Sequence, residues 1–291
     1  MDFRTDLAIE RVEMCGIGDN NGIKKTVRRY GESTVTSVNV TNENGEKLLG
    51  KPQGRYITVD VPSFSCDSEL LDGRLDALIE QIASLIPHRG TVLTVGLGNR
   101  DMTADALGPK CADRIFATRH IGKELASSLG FDSLRSVASF APGVLGKTGM
   151  ESSEITASVV KEIDPCCVIT VDALAALDIN RLGTTVQLTD TGISPGSGIG
   201  NARKEMNEKT LGVPVIAIGV PTVISAYTLA QNVLDELSIS ADISKGEKFK
   251  EYIVASREAD LICERASKFI ALAVNSALQQ DIAIEDLMAL M

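Results

Sequence analysis

"TVLTVGLG", residues 91–98, runs through Val, Leu, Val and Leu with little polar relief and closes on two glycines. A short apolar run without period-two alternation reads as a strand buried on both faces, as a helix-covered parallel sheet requires. The surrounding chain repeats that unit. Upstream, Leu71, Leu75, Leu78, Ile79, Ile82, Leu85 and Ile86 share one helical face between Asp67 and Ile86. Asp67 or Ser68 is placed to cap that helix and Pro87 to stop it. Downstream, "SVASFA" (136–141), "CVITVD" (167–172), "TTVQLTD" (184–190) and "VPVIAIGV" (213–220) read as further buried strands. Between them fall a helix from about Asp105 and one carrying Ile155, Val159 and Ile163. A third carries Val223, Ala226, Tyr227, Ala230, Val233, Leu234 and Leu237 on one face, and a last helix ends near Leu278. This alternation predicts an α/β fold: a mainly parallel sheet with helices on both faces.

The first 60 residues differ, being rich in Thr, Val, Asn and Gly. "STVTSVNV", the turn "NENG" and "GRYITVDV" predict hairpin-like β structure. The chain thus divides into a β-rich N-terminal subregion, residues 1–65, and an α/β core, residues 66–291.

Composition removes several function classes. The longest apolar stretches, such as "VPVIAIGVP", fall well short of the roughly 20 residues a membrane helix needs. The opening "RTDLAIE" (4–10) is too short and too charged for a signal peptide. A net charge of −10 opposes direct nucleic-acid binding, and "KKTVRR" (24–29) reads as a solvated strand. Six cysteines without a C-x-x-C pair predict buried, reduced thiols of a cytoplasmic protein. With only His88 and His120, and no H-E-x-x-H, the chemistry falls to carboxylates.

In an open α/β sheet the site lies beyond the carboxyl ends of the strands. "GNRDMTAD", "VDALAAL" and "TDTGISPGSGIGN" stand at those ends. "APGVLGKTGM" imitates a phosphate-binding loop around Lys147, with Asp172 as a magnesium-binding acid, but Ala141 replaces the first glycine. A P-loop-like NTPase using Lys147 and Asp172 is therefore one alternative; a non-catalytic protein that binds an acidic peptide is another. "GLGNRD" holds only two glycines of a dinucleotide fingerprint, and "PGSGIGN" is either an anion cradle or a loop. Asp105 reads as an N-cap or a site acid, and Asp172 ends an apolar strand, where an unpaired acid is costly. Asp190 opens a single "DTG". Two acids at neighbouring strand ends would share a proton, one serving as acid while the other serves as base.

The chain resembles the germination protease (spore protease) family of endospore-forming bacteria. The resemblance runs in order through "RTDLAIE", "GRYITVD", "VGLGN", "TADALGPK", "TRH", "APGVLGKTGMES", "VDALAA", "DTGISPGSGIGNARKE" and "LGVPVIAIGVPTV". It implies an endopeptidase that degrades small acid-soluble spore proteins, cutting after the first Glu of Thr/Ser-Glu-Phe/Ile-Ala-Ser-Glu. "TDLAIE" imitates that segment, so the resemblance implies a zymogen with a short pro-segment that cuts itself between Asp6 and Leu7. It carries the catalytic roles onto Asp105 and Asp172 and leaves Asp190 outside the pair, as a supporting or substrate-binding candidate. Lys147 and Arg203 are candidates for binding substrate carboxylates by charge and loop position, and Gly196 and Gly198 for flanking the cleft. The core is expected to be similar to that of the hydrogenase-maturation endopeptidases, whose equivalent carboxylates can hold a metal. Two mechanisms are open: a metal-free pair without a cofactor, or a metal held by Asp105 and Asp172. The resemblance also implies a homo-oligomer, a tetramer, in the spore interior.

Overall fold

The computed structural model describes residues 5–16, 21–31, 33–66, 73–121, 134–241 and 243–291. Helix α1 (Ala8–Cys15) precedes strands β1 (Ile23–Tyr30) and β2 (Ser33–Val40), helix α2 (Glu43–Leu49) and strand β3 (Gly54–Asp60). Then come α3 (Gly73–Leu85), β4 (Val92–Gly96), a 3-10 turn at Thr103–Asp105, α4 (Leu107–Ala112) and β5 (Val137–Phe140). The one-turn α5 (Leu145–Thr148), α6 (Ser152–Ile163), β6 (Cys167–Ala176), β7 (Thr185–Thr189) and α7 (Glu208–Leu211) follow. The chain closes with β8 (Val215–Ser225), α8 (Ala226–Glu236), β9 (Ile253–Ala255), α9 (Ala259–Leu278) and α10 (Ile284–Ala289).

Among the described residues these strands form one nine-stranded sheet in the order β1-β2-β3-β7-β8-β6-β4-β5, with β9 also on β8. Strands β5, β4, β6 and β8 are parallel, which makes the α/β half that the apolar runs predict. Strand β7 runs antiparallel to β8, and β1–β3 continue the sheet antiparallel beyond it. The reason lies in chain length: residues 177–184 link β6 to β7 through a single 3-10 turn. A parallel return needs about a dozen residues or more. The β-rich N-terminal residues therefore extend the core sheet. "NENG" makes no hairpin turn; it starts α2, with the Asn42 side chain accepting the Gly45 N–H at 3.0 Å.

Alternate strand residues feed two cores. Ile169, Val171, Ile216 and Ile218 pack with Leu75, Leu78 and Ile82 of α3 and with Ile262, Phe269 and Ile270 of α9. Leu93, Val95, Val168 and Val215 face the other way, against Val160 of α6 and Leu211 of α7. On that second face α1 and α2 cover β2 and β3 through Ala8, Val12, Val38, Leu49 and Tyr56. Both faces are thus covered. The caps expected for α3, Asp67 and Ser68, lie outside the described residues.

Two other expectations change. The apolar stripe at 223–237 does not lie against the core: Val223 belongs to β8, Tyr227 is buried, and Val233 and Leu237 are exposed. Of the cysteines, Cys111, Cys167 and Cys263 are buried as free thiols, whereas Cys15 and Cys66 are exposed. Among the described residues no helix is long and apolar enough to cross a membrane.

Candidate active site

Asp105 ends the 3-10 turn that follows β4. It is no helix cap; its carboxylate turns back over the preceding loop and accepts the Asn99 N–H at 2.7 Å. Gly98, at φ +110°, permits this, because a Cβ there would lie 2.2 Å from the Asp105 carbonyl oxygen. Asp172 was expected at the end of a strand, but it lies inside β6, paired in register with Gly219 of β8. The "ALAA" that follows it continues the strand because residues 220–224 of β8 pair with it, past a register shift at Leu174–Ala175. Asp172 is 5% exposed and accepts the Ala173 N–H at 2.9 Å.

Burial pushes the Asp172 carboxyl well above the usual carboxylate range, and the nearby Asp105 and Asp6 carboxylates push it further. Asp105 is raised by burial and drawn back by the Asn99 N–H. The two acids thus differ in kind. Asp172 holds its proton more firmly, and Asp105 is the readier base.

The third acid, Asp6, brings the N-terminal segment into the site. Its backbone N–H donates to the Ala175 carbonyl at 3.1 Å, and its carboxylate accepts the Ala175 N–H at 2.9 Å and the Ser197 hydroxyl at 2.8 Å. Gly198 closes over it, since a Cβ there would meet Asp6 Oδ2 at 2.2 Å. Leu7 is wholly buried, with Ile9, against Leu174 and Ala176. The Glu10 carboxylate is 3% exposed and accepts the N–H groups of Leu177 and Asp178 at 2.9–3.0 Å, as well as the Thr5 hydroxyl. Burial raises the Glu10 carboxyl, and those hydrogen bonds oppose the shift. A cavity of about 340 Å³ opens beside the segment, lined by Lys51, Tyr56, Leu174, Gln187, Thr189 and Gly219 among others. Neither Asp105 nor Asp172 lines it.

The other sequence candidates separate. Gly198 reaches the site, and Gly196, at φ +73°, turns the chain into the same 3-10 loop. That loop does not sit beyond a parallel strand end; β7 is antiparallel, and residues 190–206 fold back over one face, with Ile193 bridged to Met206. Asp190 ties β3 to β7, accepting the Arg55 N–H at 2.7 Å and Arg55 Nε at 2.9 Å. Lys147 is exposed and paired with Asp101. It lies inside the one-turn α5, and the N–H groups of Lys147, Thr148 and Gly149 are already spent on Val144 and Leu145 carbonyls. No phosphate cradle exists there. Arg203 is exposed; its N–H donates to the Pro195 carbonyl. Among the described residues no three His, Cys, Asp or Glu side chains converge as a metal site requires. Two acids alone do not make the three-ligand or larger set that such ions take. Sequence reasoning missed Lys51, Gln187 and Ser197, all of which touch Thr5–Ala8. Only Gln187 carried a signal: an amide inside an apolar strand needs a polar partner.

The profile of the germination protease family matches residues 10–248. A germination protease of Clostridium perfringens is 40% identical, with 98% of each chain covered. One from Clostridium acetobutylicum is 38% identical, covering 98% of this chain and 97% of its own. The Bacillus subtilis germination protease is 40% identical over 80% of this chain and 66% of its own. Among solved structures, the [NiFe] hydrogenase maturation protease HycI of Thermococcus kodakarensis aligns with a TM-score of 0.40 at 18% identity, covering 68% of this chain and 98% of its own.

Proposed function

Because this chain belongs to the germination protease family and is a peptidase, we propose that it is a self-processing, aspartic-type endopeptidase that cuts its own Asp6–Leu7 bond. The observation that carries this reading is the docking of Thr5–Glu10, with the Asp6 carboxylate held by Ala175 and Ser197 near Asp172, which in turn lies near Asp105. In the resemblance drawn from the sequence, this segment stands in for substrate. Its seats then suit a protein chain with an acid before the cut, a large apolar residue after it and a second acid three positions further on. Small acid-soluble spore proteins, cut after Glu within Thr/Ser-Glu-Phe/Ile-Ala-Ser-Glu in the spore interior, are the proposed substrates.

The chemistry follows from the unequal acids. Asp105 takes a proton from water, and the water oxygen attacks the Asp6 carbonyl carbon. The C–N bond to Leu7 breaks, and Asp172 gives its proton to the leaving nitrogen. Water is consumed, and the pair regains its shared proton from Asp105. No step is assigned to a metal; among the described residues no three His, Cys, Asp or Glu side chains converge. A homo-oligomer, a tetramer, is the proposed assembly, supported by the exposed apolar residues Val233, Leu237, Ile239, Phe249 and Tyr252.

Mass spectrometry of the intact chain over time tests the reading. The unmutated protein should lose residues 1–6 and expose Leu7, with the rate unchanged by prior treatment with EDTA. Asp105→Asn and Asp172→Asn should each slow this by about 10³-fold or more. Cleavage at the parent rate in both variants would move the chemistry elsewhere.

A further inference from the structure

The carbonyl of Asp6 is gripped twice. Gln187 Nε2 donates to it at 2.8 Å, and Lys51 Nζ donates to it at 3.1 Å while also reaching the Thr5 carbonyl at 3.4 Å. The same Gln187 side chain accepts the Ala8 N–H through Oε1 at 2.8 Å. One amide thus holds the chain on both sides of the Asp6–Leu7 bond. Its position is set by the sheet: Gln187 pairs with Gly219, which pairs with Asp172. The row Asp172, Gly219, Gln187 crosses three strands on one face. Two strand spacings put the outer pair about 10 Å apart at their Cα atoms, and the middle position carries no side chain.

We propose that Lys51 and Gln187 are catalytic residues that stabilise the oxyanion formed on the Asp6 carbonyl oxygen, a role that rests on the endopeptidase reading above. As the water oxygen bonds to the carbonyl carbon, the C=O π electron pair moves onto the oxygen that both donors already contact. It returns when the C–N bond breaks and the Leu7 nitrogen takes its proton from the aspartate pair. Donors aimed at developing charge in a partly desolvated site accelerate such a step without prior rearrangement. The Lys51 ammonium fits the role in its surroundings. Burial holds its pKa below the usual lysine value while Asp6 draws it back up, so its charge is poorly matched by water and available to an oxyanion.

The rival explanation is that both side chains merely anchor the segment. The two are separated by steady-state cleavage of a peptide with the sequence of residues 2–12 by the processed protein, which gives kcat and KM apart. Lys51→Met and the nearly isosteric Gln187→Glu, which keeps the acceptor for Ala8 and loses the donor, should each lower kcat about 10²- to 10³-fold. KM should stay within about threefold, and Lys51→Arg should restore part of kcat. Thermal unfolding confirms that each variant is folded. A raised KM with unchanged kcat, or no change in either, overturns the proposal. Absence of cleavage by the unmutated protein overturns the endopeptidase reading itself and this proposal with it.

Discussion

A carboxyl group sealed between strands is easier to keep protonated than to ionise, and Asp172 is in that position at 5% exposure. Its folded-state pKa lies above the ordinary value near 3.9. Between those two values the native protein binds more protons than the unfolded chain, so this group's stability contribution falls as pH rises through the folded pKa. Asp172→Asn should therefore unfold at a higher temperature than the parent at neutral pH. The gain should shrink to nothing below about pH 4, where both states are protonated. Melting curves from pH 3 to 8, on chains shown intact by mass spectrometry, check this. A gain that does not depend on pH would mean the carboxyl is not held in its raised state. The proposed proton donor is here a cost to the fold.

At the level of strands and loops, Asp190 joins two strands. Its "DTG" suggests protease chemistry, yet its carboxylate spans β3 and β7 through Arg55. Asp190→Ala should cost about 1 kcal/mol or less, as exposed ion pairs do, and leave the self-cleavage rate within about threefold. A loss as large as that of the aspartate-pair variants would place Asp190 in the chemistry. The apolar runs around residues 92–96, 167–172 and 215–220 were legible because a buried strand has no polar face to confuse it. The direction of β7 was not legible from its own residues, since it depends on the length of a connection and on which edge is free. Nor was the continuation of β6 past Asp172, because "ALAA" reads equally as strand or loop until β8 pairs with it. The two acids stood out by residue type. Lys51, in the loop between α2 and β3, reaches Thr5 and Asp6 only through tertiary packing, which no local pattern records.

Across the whole molecule, the two sides of the Asp6–Leu7 bond are held unequally. Before it, Thr5 and Asp6 are held by hydrogen bonds, whereas after it Leu7, Ala8, Ile9 and Val12 pack into apolar clusters and Glu10 is clamped by Leu177 and Asp178. Glu10→Ala would leave those two N–H groups unmatched, at about 1–3 kcal/mol, and lower the melting temperature. It should also raise kcat/KM on an added peptide, measured with the processed chain; a fall in both would show that the clamp serves catalysis. The clamp has a further consequence. A cut after Asp6 frees the acidic half of the segment but leaves Leu7–Glu10 tethered where the leaving half of any incoming substrate must lie. A tether this short keeps its ligand at an effective concentration on the order of millimolar. On the proposed reading, the processed protein would then compete with its own substrates, and an outside chain would enter only when the first turn of α1 lets go.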